Sequence, residues 1–255
     1  MKAHLQSGTL GYLDQGSGPC VLLIHAFPLN RTMWEPQIPA LSSRFRAIAP
    51  DIRGFGESQP ASPWTMEQAA DDLNELLEQL GARDAAVVGV SMGGYIALAF
   101  WLKYPQRIRK LVLCNSRARA DNDAEKAARN EMIAAIQQRG TAILPDRMLG
   151  RLLQPNPRPD VVARVRSMIE RVDAPAAAYA VMAMRDRMDF STSLHRIACP
   201  ALVITGQNDV IIRPEDARAL AEAIPGAQFV QIAASGHLSN LENPDAFNAA
   251  LLAFL

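Results

Sequence analysis

Four short runs of this chain are apolar at every position: Cys-Val-Leu-Leu-Ile over 20–24, Ala-Ala-Val-Val over 85–88, Leu-Val-Leu-Cys over 111–114 and Ala-Leu-Val-Ile over 201–204. A strand with one wet face alternates apolar and polar residues. A strand that does not alternate has to be covered on both faces. Between the first of these runs the chain turns helical. Met66, Ala69, Ala70, Leu73, Leu76, Leu77 and Leu80 recur at helix spacing, Thr65 and Gln68 form a capping box, and Gly81 is the stop. Strands are expected over 20–26, 45–50, 84–90, 109–116, 199–206 and 227–233, with a helix from Met92 to Lys103 ended by Tyr104-Pro105. Such alternation implies an α/β fold: a mostly parallel, twisted sheet with right-handed crossovers, flanked by helices.

The alternation breaks after Asn115. From 117 to 194 no strand is expected; the segments 123–140, 144–154, 159–172 and 174–188 read as helices. The chain therefore divides into a core domain, 1–116 with 195–255, and a helical subdomain, 117–194.

The 255 residues carry 26 basic and 26 acidic side chains, a formal net charge of zero. Nothing in this balance favours nucleic acid or an anionic membrane as partner. No apolar stretch is long enough to span a bilayer, and residues 1–18 lack the apolar core of a signal peptide. Cys20, Cys114 and Cys199 each border an apolar run, an odd set that argues against a disulfide framework. A cytoplasmic protein is expected. Self-association into a homo-oligomer is left open.

The chemistry starts at Gly89-Val90-Ser91-Met92-Gly93, where an expected strand runs straight into an expected helix. A serine on so sharp a turn is strained and projects its hydroxyl from the strand end. Side chains two residues either side would collide, which calls for glycine there. A serine needs a base, and the base an orienting acid. Of four histidines, His4 falls in an exposed N-terminal hairpin and His195 in a surface or capping position. His25 ends a strand and organises the loop after it. His237, in a Ser-Gly turn beyond the last strand, is the candidate base. Asp209, after the strand over 201–206, is the candidate acid. Asp186 and Asp189 lie in the helical insertion, Asp216 in an exposed helix, and Asp51 in a structural turn. The order Ser91, Asp209, His237 suits a sheet whose strand ends share one edge. The backbone N–H groups of Met92 and Phe27 are the candidate oxyanion donors. No spacing suggests a metal site, and no cofactor is required.

Five segments then resemble the α/β-hydrolase superfamily in order: His-Ala-Phe-Pro at 25–28, Asp-Ile-Arg-Gly-Phe-Gly-Glu-Ser at 51–58, Gly-Val-Ser-Met-Gly-Gly at 89–94, 205–214 and 235–247. The likeness leans to bacterial carboxylesterases and 3-oxoadipate enol-lactonase-like proteins. It implies that the insertion after Asn115 caps the active site, and that a small-molecule ester is cleaved through an acyl-enzyme. A lactone hydrolase is the alternative; a ligand-binding protein without turnover is a third reading, against which the three side chains argue. A serine where dehalogenases and epoxide hydrolases carry aspartate disfavours both. Relatives commonly have His-Gly-Phe-Pro, so Ala26 departs, and its methyl is expected to narrow the pocket floor. Met132, Met148, Met168, Met182, Met184 and Met188 of the insertion could line a permissive pocket, and Arg117 and Arg119 could meet a carboxylate, although solvated surface positions suit them better.

Overall fold

The computed structural model describes residues 1–59 and 62–255. Eight strands build one sheet: β1 (Lys2–Leu5), β2 (Gly8–Gln15), β3 (Cys20–Ile24), β4 (Arg46–Pro50), β5 (Ala85–Val90), β6 (Ile108–Cys114), β7 (Ala201–Gly206) and β8 (Gln228–Ile232). Their order is β1-β2-β4-β3-β5-β6-β7-β8. Only β2 runs against its neighbours, pairing antiparallel with β1 and β4. From β4 to β8 every pairing is parallel. Strands β3, β5 and β7 are buried at every position, as uninterrupted apolar runs require. The N-terminal hairpin is half-buried, because Ala3, Leu5, Leu10 and Tyr12 turn inward while His4 stays exposed.

Helix α1 (Ile38–Ser42) precedes β4. Helix α2 (Met66–Gln79) starts at Thr65, whose hydroxyl accepts the Gln68 N–H at 3.2 Å while the Gln68 side chain accepts the Thr65 N–H at 3.0 Å. It packs on α3 (Met92–Lys103), which is buried at every position from Met92 to Trp101. A helix that is apolar all round has no wet face and must be enclosed.

Between β6 and β7 come α4 (Asp123–Arg139), α5 (Leu144–Leu152), α6 (Pro159–Glu170) and α7 (Ala174–Arg185). Helix α4 packs on α7 and α5 on α6. Helix α8 (Pro214–Glu222) covers β7 and β8, and α9 (Ser239–Glu242) and α10 (Pro244–Phe254) close the chain. Parallel strands leave all their C-terminal ends at one edge. Phe27 follows β3, Ser91 β5, Asn115 β6, Asp209 β7 and His237 β8, so the topology gathers residues far apart in sequence.

Candidate active site

Ser91 sits between β5 and α3 with φ 54° and ψ −113°, a backbone conformation that side chains other than glycine rarely adopt. It is held by sheet and helix together. Its N–H donates to the Cys114 carbonyl at 2.9 Å, and its own carbonyl accepts the Ser116 hydroxyl at 2.9 Å and the Gly94 N–H at 2.9 Å. The flanking glycines are required by close approach. A Cβ on Gly89 would strike the Gly93 carbonyl, and one on Gly93 would strike the Ile24 carbonyl of β3.

Asp209 and His237 are both buried and joined by an Oδ2···Nδ1 contact of 2.8 Å. The other Asp209 oxygen accepts the N–H groups of Ile211 at 2.8 Å and Ile212 at 3.0 Å. Burial opposes ionisation of Asp209. The attraction of His237 and the hydrogen bonds from His237, Asn115 and Ile212 outweigh it and hold the carboxyl below the usual carboxylate range. An ionised Asp209 accepts, so Nδ1 of His237 carries the proton and Nε2 is the free base.

Ser91 and His237 line one cavity of about 220 Å³, with Phe27, Tyr95, Leu152, Ile211 and side chains of α4, α5 and α7. Among the described residues the Ser91 hydroxyl and the imidazole make no hydrogen bond to each other. The Phe27 and Met92 N–H groups likewise meet no acceptor among the described residues, which leaves both free to donate.

The other histidines are accounted for. His25 is fully buried. Its Nε2 accepts the Ile52 N–H at 2.9 Å, so Nδ1 carries the proton and donates to the Ala26 carbonyl at 3.0 Å. Burial lowers its pKa and keeps it neutral. It thereby ties the Phe27 loop to the turn after β4. Asp51 accepts the N–H groups of Arg31 and Glu57, pairs with the Arg31 guanidinium and belongs to that same turn. His195, Asp186, Asp189 and Asp216 are exposed.

The structure alters several details of the sequence reading. Ala26 has no positive φ and is fully buried away from the cavity wall, so its methyl packs in the core rather than narrowing the pocket floor. Of the six methionines only Met132, Met148 and Met184 line the cavity. Arg117 lines it but is engaged by Asp121 at 2.6 Å and Glu125 at 2.7 Å, while Arg119 lies off the wall and binds Glu125. Asn115, in the sequence only the end of a strand, belongs to the site. Its Nδ2 donates to Asp209 Oδ2 at 2.8 Å and to the Gly236 carbonyl at 3.2 Å, and its Oδ1 accepts the Ser239 hydroxyl at 2.7 Å. Its φ of 47° is tolerated by asparagine, and a polar residue directly after an apolar strand was its one signal.

No helix among the described residues is long and apolar enough to cross a membrane. Residues 19–244 match the model of the alpha/beta hydrolase fold family. The structure superposes with a TM-score of 0.95 on a thermophilic esterase from Thermogutta terrifontis, 39% identical, covering 99% of this chain and 96% of that one. The enol-lactonase from Burkholderia xenovorans LB400 superposes with a TM-score of 0.92 at 30% identity, covering 100% and 99%. In sequence, 3-oxoadipate enol-lactonase 2 of Acinetobacter baylyi is 27% identical over 98% of this chain and 92% of its own length.

Proposed function

The chain belongs to the α/β-hydrolase family, and from that premise we propose that it is a serine hydrolase that cleaves carboxylic esters through an acyl-enzyme. The observation that carries this is the buried Asp209–His237 pair opening on the same cavity as Ser91. Ser91 Oγ attacks the ester carbonyl carbon as its proton passes to His237 Nε2. The carbonyl electrons move onto oxygen, where the Phe27 and Met92 N–H groups receive them. Asp209 holds the imidazole tautomer and stabilises the imidazolium. Collapse breaks the bond to the alcohol oxygen, which takes the proton from His237. Water attacks the acyl-enzyme by the same route, releasing the acid and restoring the serine.

A second reading, hydrolysis of a carboxylate-bearing lactone, is favoured by the charge of the cavity wall. Arg117, Arg129, Arg147 and Arg151 line it against Asp121 and Glu125. Arg147 and Arg151, one turn apart on α5 and exposed, have no ionic partner among the described residues. The enol-lactonase relatives point the same way.

The test is hydrolysis of p-nitrophenyl acetate, with and without a serine-directed phosphonate. Turnover, covalent labelling at Ser91 and loss of both in Ser91→Ala are expected; activity retained by Ser91→Ala would remove Ser91 as nucleophile. On the same enzyme, kcat/KM for neutral aryl esters is expected to exceed that for 3-oxoadipate enol-lactone. The reverse order would establish the lactone reading.

A further inference from the structure

The segment that leaves α5 touches the loops of both proposed catalytic partners. The Leu152 carbonyl accepts the N–H of His237 at 3.0 Å and of Leu238 at 3.2 Å. The Gln154 side-chain oxygen accepts from Asn208 Nδ2, beside Asp209, at 3.1 Å. Gly236 passes so close that a Cβ there would lie 2.7 Å from the Gln154 nitrogen and 2.9 Å from the Leu153 carbonyl carbon.

Glu242, the last residue of α9, spans this crossing. It is only 8% exposed. One carboxylate oxygen accepts the Gly236 N–H at 2.7 Å and the other accepts the Gln154 N–H at 2.7 Å. Both bonds are short and charge-assisted. Gly236 immediately precedes His237, and Gln154 follows the helix that carries Met148, Arg151 and Leu152 to the cavity wall. One carboxylate thus clamps the backbone beside the base to the helix above the cavity.

The geometry points to Glu242 as a positioning residue for His237, coupling the seat of the base to helix α5 of the insertion. This rests on His237 being the base. Holding both amides takes two acceptor oxygens, so it takes the ionised carboxylate; a protonated one turns an O–H toward an N–H. Burial raises the Glu242 pKa, and the Gln154 and Gly236 N–H groups pull against that rise. Asp209 and His237 act on it through space in opposite directions, the first raising and the second lowering.

Glu242→Gln keeps the shape and turns an NH2 group against one of the two amides. A lapse of about 1 Å in the position of a catalytic group costs on the order of 100-fold. With p-nitrophenyl acetate, kcat is expected to fall at least about tenfold while KM moves less than about twofold, with the melting curve cooperative. Glu242→Asp is expected to recover part of the loss at one amide. Unchanged kcat in a folded Glu242→Gln would overturn the positioning role, and Ser91→Ala and His237→Ala run beside it would show whether the serine mechanism itself still stands. If Glu242→Gln does not fold, hydrogen exchange of the wild-type protein decides. At least one of the Gly236 and Gln154 amides is expected to lose protection as pH falls through the Glu242 titration, while Ile211 and Ile212, held by the more acidic Asp209, keep theirs. Protection unchanged at both amides of the pair would overturn the clamp.

Discussion

Ser91 shows how much a single residue position can demand. Its φ of 54° places a Cβ-bearing residue where glycine is the usual occupant, and its side chain caps no amide of α3. The conformation is held by the Cys114 carbonyl, the Ser116 hydroxyl and the first turn of α3 rather than by the serine. Strain of this kind costs about 1–3 kcal/mol, part of which glycine would return to chain entropy in the unfolded state. Ser91→Gly is therefore expected to be inactive yet more stable than the wild type by about 1 kcal/mol. Urea titration of the two proteins checks this, and a less stable glycine variant would mean that the turn carries no strain at residue 91.

At the scale of elements, the junction of β5 with α3 is set by what lies behind it. Helix α3 has to approach β3 until the Gly93 Cα lies against the Ile24 carbonyl, with no room for a methyl. Gly93→Ala forces helix and strand apart and is expected to cost about 2 kcal/mol or more, with loss of the proposed hydrolysis of p-nitrophenyl acetate. An unchanged denaturation midpoint would show that the junction has slack. This element was legible in the sequence. Gly89, Ser91 and Gly93 stand at fixed spacing, and the apolar runs on either side name strand and helix without ambiguity. The helices of the insertion were legible as helices for the same reason of periodicity. Which of their side chains face the cavity was not, since Met132, Met148 and Met184 differ from Met168 and Met182 only in how the helices are rotated on their neighbours, and Met188 falls in the loop beyond the end of α7 at Arg185.

Across the whole molecule, the insertion is tied down by charge. Asp121 is fully buried and meets Arg117 at 2.6 Å, Arg187 at 2.8 Å and Arg129 at 3.0 Å. Arg187, itself buried, lies with its guanidinium carbon 4.2 Å from the centre of the Tyr95 ring, which joins the network to α3 under the cavity. Removing the carboxylate strands Arg129 and the buried Arg187 without a counter-charge, while Arg117 keeps Glu125. Asp121→Ala is expected to destabilise the protein by about 3 kcal/mol or more. Burial opposes ionisation of Asp121, but Arg129 and Arg187 more than offset it and its carboxyl titrates below the usual range. A depressed carboxyl contributes fully above its unfolded value of ~3.9 and loses that contribution as pH falls through the folded value. The stability gap between wild type and Asp121→Ala should thus hold from neutrality to about pH 4 and narrow below it. Melting temperatures of both proteins across that range test it; a gap that widens on acidification would contradict the pairing.

The sequence by itself determined six of the eight strands, the longer helices, the sharp turn at Ser91 and the short list from which Asp209 and His237 were drawn. Each of those depends on neighbours within a few residues along the chain, where periodicity and backbone sterics act. The tertiary structure alone decided that Asn115 braces Asp209 across 94 residues, that Glu242 reaches Gln154 across 88, and that Arg117 is spent on Asp121. A parallel sheet brings the ends of distant strands to one edge, and hydrogen bonds form between whatever side chains arrive there. No local pattern records which pairs will meet, because the pairing is settled by strand order and register.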